Sequence, residues 1–187
     1  MFQPQVKLEF IRRYCSPADG WKVFVDIDPS EEGRTGGERI TSEAKKRQRQ
    51  MQADAKLVNK ELINLTVSVG GKRAEWYDKE NLPRVDGDRD IVAFHPKERR
   101  YLIAEVEGDS TGQPEQKVYK AIGQLVMAAG DSIESGWKRQ LVLVVYGDKM
   151  SDCAGRAKAL EKLEVSAITM SKTKEDDRWL FGGLTSF

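Results

Sequence analysis

Histidine and cysteine are scarce in this chain. His95 is the only histidine among 187 residues, and Cys15 and Cys153 are the only cysteines. A structural zinc site uses about four such ligands, commonly with a CxxC pair, which this sequence does not contain. The composition therefore argues against a zinc module, and we expect two ordinary free thiols in a reducing compartment.

Long apolar runs and an excess of one charge are also lacking. No segment approaches the roughly 20 apolar residues that span a bilayer, and the start MFQPQVKLEF lacks the pattern of a secretory signal. We therefore expect a soluble, cytoplasmic protein without a membrane partner. The 31 basic and 30 acidic residues nearly cancel, so a nucleic-acid partner can only be argued from local charge.

The length and the hydrophobic content of 39% suit one domain with one core. Residues 1–40 are interpreted as an N-terminal extension, in which a short helix (LEFIRRY) and a strand (WKVFVDID) precede a loop rich in Gly and Glu at 29–40. Residues 41–170 form the core, and residues 171–187 a C-terminal tail.

The core pattern predicts a mixed β-sheet with helices on both faces, in the order helix, three strands, helix, strand, plus an additional helix and strand. The predicted segments are a helix at 41–65, a strand and turn in TVSVGGKRAEWYD, strands DIVAF and RYLIAEVE, a helix PEQKVYKAIGQLVMAAG, a buried strand QLVLVVY, a helix SDCAGRAKALEKLE and a strand VSAITM.

Three acids are expected to meet at one edge of this sheet. Side chains alternate along a strand, so Glu105 and Glu107 share a face, and a hairpin brings Asp90 beside them. Like charges this close need raised pKa values, basic partners or a divalent cation. Oxygen ligands favour Mg²⁺ or Mn²⁺, which polarise a phosphoryl oxygen and activate water. The alternative is that these acids form a solvated strand face.

The stretch from Asp90 to Gln124 resembles the PD-(D/E)xK nuclease superfamily. In that pattern an Asp opens a strand, an apolar strand ends in Glu-x-Lys, and the next helix carries a Gln; here these segments are D-IVAF, IA-E-V-E and KVYKAIG-Q-L. The resemblance implies a restriction-endonuclease-like fold and Mg²⁺- or Mn²⁺-dependent hydrolysis of DNA, with Asp90, Glu105 and Glu107 as catalytic metal ligands. Arg89 replaces a Pro that carries no chemistry, and Glu107 replaces the lysine.

The helix after these strands offers a substitute for that lysine. Lys117 and Gln124 lie on one stripe beside the apolar face, whereas Lys120 turns further out. By the resemblance, Lys117 stabilises the attacking hydroxide or the phosphate, and Gln124 positions water or phosphate.

The helix at 41–65 has a local excess of positive charge. Between residues 41 and 60, six basic residues oppose two acidic ones, which suits a phosphate backbone but also an ordinary solvated surface. The resemblance further implies an acid from this helix, with Glu43 and Glu61 as the alternatives. The expected nucleic-acid-binding residues are Lys45, Lys46, Arg47 and Arg49.

The departure at Glu107 leaves a second hypothesis open. The chain could keep the nuclease fold without the chemistry, and bind nucleic acid or a protein partner instead. A homodimer is compatible with either hypothesis.

Overall fold

A seven-stranded mixed sheet, with helices on both faces, forms the centre of the protein. The computed structural model describes residues 1–27, 42–108, 114–132 and 135–184, so the loop predicted at 29–40 lies outside the described residues. The elements are α1 (Gln3–Tyr14), β1 (Lys22–Val25), α2 (Ser42–Asn64), β2 (Ser68–Val69), α3 (Arg73–Glu80), β3 (Ile91–His95), β4 (Arg100–Glu107), α4 (Pro114–Gly130), β5 (Lys138–Tyr146), α5 (Asp148–Gly155), β6 (Val165–Met170) and β7 (Arg178–Phe181).

The strand order is β2-β1-β3-β4-β5-β6-β7. A hairpin makes β3 and β4 antiparallel, and its turn contains Arg99 in the left-handed conformation. Helix α4 then carries the chain over to β5, which lies parallel to β4, and β6 is parallel to β5. A parallel connection of this kind needs a crossover, which a helix supplies. The carboxyl ends of β4, β5 and β6 therefore share one edge.

Each face of the sheet has its own apolar core. Leu102, Ala104 and Val106 of β4 pack with residues of α1 and α2, whereas Tyr101 and Ile103 pack with residues of α4 and α5. The alternation follows from the two-residue period of a strand. Because β5 lies between covered strands, its apolar run is buried on both faces, as its sequence predicts.

Several predicted elements are confirmed, namely the strand at β1, the helix at α2, the β3–β4 hairpin, α4, β5 and β6. The predicted N-terminal helix is confirmed but is longer, since it begins at Gln3. The predicted helix after β5 is shorter, because α5 ends at Gly155 and the chain continues as a 3₁₀ helix at Lys158–Leu163. In the described part of the chain, no helix combines the length and apolarity that crossing a membrane requires.

Two features of the sheet and its cover differ from the predictions. The strand and turn expected in TVSVGGKRAEWYD are present as the two-residue β2 and as Gly70 and Gly71 with positive φ. The residues after the turn form α3, which was not predicted, because Trp76 and Tyr77 pack from a helix onto the rings of Phe24 and Phe94. The segment interpreted as a tail contains β7, which pairs antiparallel with β6.

The segment between β6 and β7 is attached to α1. The guanidinium of Arg13 donates to Asp177 at 2.9 Å and to the carbonyl oxygen of Ser171 at 3.1 Å, and Tyr14 donates to Asp177 at 2.9 Å. Because the Asp177 side chain is only 2% exposed, this pairing satisfies a buried charge and joins distant parts of the chain.

Candidate carboxylate centre

Asp90, Glu105 and Glu107 lie together at the ends of β3 and β4. The antiparallel register pairs Ile91 with Ala104, and one step further out it sets Asp90 opposite Glu105. Glu105 and Glu107 follow Tyr101 and Ile103 at two-residue spacing, so both are directed to the side of α4. The alternation thus gives Glu105 and Glu107 the same face, whereas the side-chain partners of Asp90 come from α1 on the other face of the sheet. The expectation that all three acids form one ligand set stays a prediction.

Glu105 is a buried carboxyl group. It is 1% exposed, and its Oε1 has no hydrogen-bond partner among the described residues. Burial raises the pKa of Glu105 to about 8, and the charge of Asp90 adds to the rise, while Arg89 and Lys7 oppose it. A carboxyl group kept in such a place costs stability, which is characteristic of functional sites.

Asp90, in contrast, has close partners on both of its oxygens. The ammonium group of Lys7 lies 2.8 Å from Oδ1, and the backbone N–H of Val106 donates to Oδ2 at 2.8 Å. The side-chain amide of Gln3 also donates to Oδ2 at 3.4 Å and to the carbonyl oxygen of Val106. The carboxylate of Asp90 is thus held in place by α1 and by β4.

Lys7 is the residue at this centre that the sequence analysis missed. It is 1% exposed, and its ammonium group also donates to the carbonyl oxygen of Asp26 at 2.7 Å. A signal for it exists, because Lys7 is three and four residues before Phe10 and Ile11, on the apolar stripe of α1. A lysine inside such a stripe needs a buried partner.

Gly108 allows α1 to approach the end of β4. A side chain at this position would overlap the backbone of Phe2 and Gln3. Glycine is therefore the residue that fits between Glu107 and the start of α1.

Glu107 lies at the more open side of the centre. Burial raises its pKa, and the charge of Asp90 acts in the same direction, whereas Lys117 and Lys120 lower it. Both lysines are exposed and both act on Glu107, so the predicted preference for Lys117 over Lys120 stays a prediction.

The cation at position 89 has a structural role that the sequence analysis did not assign. Arg89 is 6% exposed, and it donates to the carbonyl oxygen of Gln124 at 3.0 Å and pairs with Asp131 at 3.0 Å. The amide of Gln124 in turn donates to the carbonyl oxygen of Asp88 at 3.4 Å. These contacts fasten α4 to the segment that leads into Asp90, and they give Gln124 a structural contact besides its predicted role with water or phosphate.

The basic surface of α2 is described in part. Lys46 and Arg49 are exposed, while the side chains of Lys45, Arg47 and Glu43 lie outside the described residues. Glu61 forms an ion pair with Arg12 of α1. The choice between Glu43 and Glu61 as an additional acid therefore stays a prediction.

Within the described ranges, no group of three or more His, Cys, Asp or Glu side chains has the arrangement of a metal-ligand set. The donor chemistry nevertheless suits a hard cation, because Glu105 has an oxygen without a partner and Glu107 adjoins it. Comparisons with family models, with curated proteins and with solved structures find no match for this chain.

Proposed function

We propose that the protein is a metal-dependent nuclease of the PD-(D/E)xK type, with a restriction-endonuclease-like fold and DNA as its substrate. The observation that carries the proposal is Glu105, a buried carboxyl group with an unpartnered oxygen, set between Asp90 and Glu107 at the ends of two strands. A fold has no packing reason to keep such a group there, whereas a cation site does.

Glu105 and Glu107 would hold a Mg²⁺ or Mn²⁺ ion, with Asp90 beside them. The fit rests on hard oxygen donors and on the unpartnered Oε1 of Glu105. When bound, the ion supplies Lewis-acid activation of the phosphate and of water.

The chain's own side chains set the electrostatics around this position. Lys7 holds Asp90 in place through a buried ion pair, and Lys117 and Lys120 stabilise the ionised form of Glu107. Positive charge next to a carboxylate centre also favours an approaching phosphate diester.

The topology is consistent with the proposal. An antiparallel hairpin presents the acids, and a helix crosses from their strand to a parallel buried strand. In this order the next helix, α4, packs against β4, and the charge of Lys117 on it acts on Glu107.

The direct test is cleavage of plasmid and oligonucleotide DNA with Mg²⁺ or Mn²⁺. We expect turnover that EDTA abolishes and that Glu105→Gln reduces by at least about a hundredfold, since the variant keeps the shape but removes the charge. Glu175→Gln, at an exposed glutamate, is the matched control and should cleave like the wild type. If neither metal supports cleavage of any nucleic acid, the proposal is wrong.

A second function is favoured by one observation. Both oxygens of Asp90 already have partners within the chain, so its charge is compensated without an ion. This internal compensation of Asp90 is what we expect of a nuclease-fold protein that binds nucleic acid without cutting it.

DNA binding at several salt concentrations separates the two functions. The binding protein predicts metal-independent affinity that Glu105→Gln leaves unchanged. If Lys46 and Arg49 contact phosphates, neutralising both should lower the slope of log affinity against log salt by roughly 0.9 for each lost contact. An unchanged slope would show that Lys46 and Arg49 of α2 do not contact the DNA phosphates.

A further inference from the structure

The ion pair between Lys7 and Asp90 joins the N-terminal helix to the carboxylate centre. The ammonium group lies 2.8 Å from Asp90 Oδ1 and 2.7 Å from the carbonyl oxygen of Asp26, and Val106 N–H occupies Asp90 Oδ2 at 2.8 Å. Glu105, which is 1% exposed, is the member of the centre whose Oε1 has no partner in the described ranges. The free coordinating capacity therefore lies with Glu105 and not with Asp90.

The charge balance of the centre also favours a single divalent cation at Glu105 and Glu107. Asp90, Glu105 and Glu107 carry three negative charges when ionised, and Lys7 supplies one positive charge in contact with Asp90. Arg89 also acts on Glu105, but its own charge is matched by its ion pair with Asp131. The remainder is two negative charges, which is what one divalent cation neutralises. A second divalent cation beside the ammonium group would leave an uncompensated positive charge in a region of low dielectric constant.

We propose that Lys7 is a positioning residue of the carboxylate centre, which fixes Asp90 and restricts the centre to a single divalent cation at Glu105 and Glu107. The inference rests on the proposed metal-dependent function. It also makes the N-terminal helix, which the sequence analysis treated as an extension, a part of the site.

The test is titration of the folded protein with Mn²⁺, followed by calorimetry for stoichiometry and affinity and by electron paramagnetic resonance for spin coupling between bound ions. The wild type should bind one Mn²⁺ ion without spin coupling. Lys7→Met removes the competing positive charge and should bind Mn²⁺ at least about tenfold tighter.

Two control variants separate charge from packing. Lys7→Arg keeps the charge, and Gln3→Ala removes a neutral hydrogen bond to the same carboxylate. Both should bind one ion with an affinity within about threefold of the wild type. A merely structural lysine would instead lower the unfolding temperature of Lys7→Met and leave its Mn²⁺ affinity unchanged, which would overturn the inference.

The other outcomes are also decisive. Two ions bound by the wild type would overturn the inference but keep the proposed function. If neither the wild type nor Lys7→Met takes up Mn²⁺, the proposed function is wrong, and the inference is wrong with it. Uptake by Lys7→Met alone would remove the native metal function and overturn the inference, because the wild-type centre would then hold no cation.

If Lys7→Met does not fold, the double variant Lys7→Met/Asp90→Asn replaces the charged pair by a neutral one. Under the inference it binds one Mn²⁺ ion within about threefold of the wild type. A loss of about tenfold or more would identify Asp90 as a direct ligand and overturn the inference.

Discussion

Replacing Glu105 by Gln should stabilise the protein at alkaline pH. The substitution keeps the size and shape of a side chain that is 1% exposed, and it removes only the ability to ionise. In the folded protein the pKa of Glu105 is raised to about 8, mainly by burial, from the ordinary value of 4.5. Ionisation in place is therefore much less favourable than ionisation in the unfolded chain.

The sign and size follow from proton linkage. Between pH 4.5 and about 8 the folded state holds a proton on Glu105 that the unfolded state has lost, so the stability of the wild type falls as pH rises through this range. Below it, both states are protonated and no penalty exists. Above it, the difference between the two pKa values corresponds to a penalty of roughly 5 kcal/mol, which Glu105→Gln does not have.

Urea unfolding of both proteins at pH 5, 7 and 9 measures this difference. The free energy of unfolding of Glu105→Gln should exceed that of the wild type by several kcal/mol at pH 9, and the excess should shrink at pH 5. Glu175→Gln serves as the control and should track the wild type at every pH. If the difference in the free energy of unfolding between the two proteins does not grow with pH, Glu105 is not a buried carboxyl group with a raised pKa.

Three further predictions test the surroundings of the centre. Gly108→Ala should displace α1 and lower the free energy of unfolding by about 2 kcal/mol or more, and an unchanged urea midpoint would contradict the close approach. Arg89→Met should cost about 3 kcal/mol because it leaves Asp131 without its partner, and Arg89→Met/Asp131→Asn should recover part of that loss in the same assay. Lys117→Gln should raise the pKa of Glu107 further, as measured by NMR titration of its carboxyl carbon; no change would show that Lys117 does not act on it.

The central hairpin and the strands beside it could be predicted because their signals are local. The alternation in β4 and the continuous apolar run of β5 both follow from the two-residue period of strands and from burial on one or two faces. The same period predicts that Glu105 and Glu107 share a side. These parts of the fold need no knowledge of distant residues.

The missed elements depend on tertiary contacts. Helix α3 follows the predicted turn at Gly70 and Gly71 and was not predicted; its two aromatic residues join a ring cluster with Phe24 and Phe94. Strand β7 has four residues and exists through its pairing with β6. In both cases the packing outweighs weak local preferences.

Of the centre itself, the sequence predicts which acids meet but not what surrounds them. The apolar stripe of α1 is a local signal that Lys7 is buried, but the partners of Lys7 and Arg89 are far away in the chain, so no local pattern identifies those partners. The burial of Glu105 likewise depends on α1 and α4 closing over two faces of the sheet. This is why the three acids were predicted together while their charge compensation was not.

The long sequence separations at α1 have a kinetic consequence. Gln3 contacts Val106 across 103 positions, and Arg13 contacts Asp177 across 164. Closing such long segments costs chain entropy before any stabilising contact forms. A helix of 12 residues is also only marginally stable by itself in water. We therefore expect α1 to dock late in folding. A chain emerging during synthesis cannot complete the surroundings of Asp90 until both β4 and its neighbours have formed.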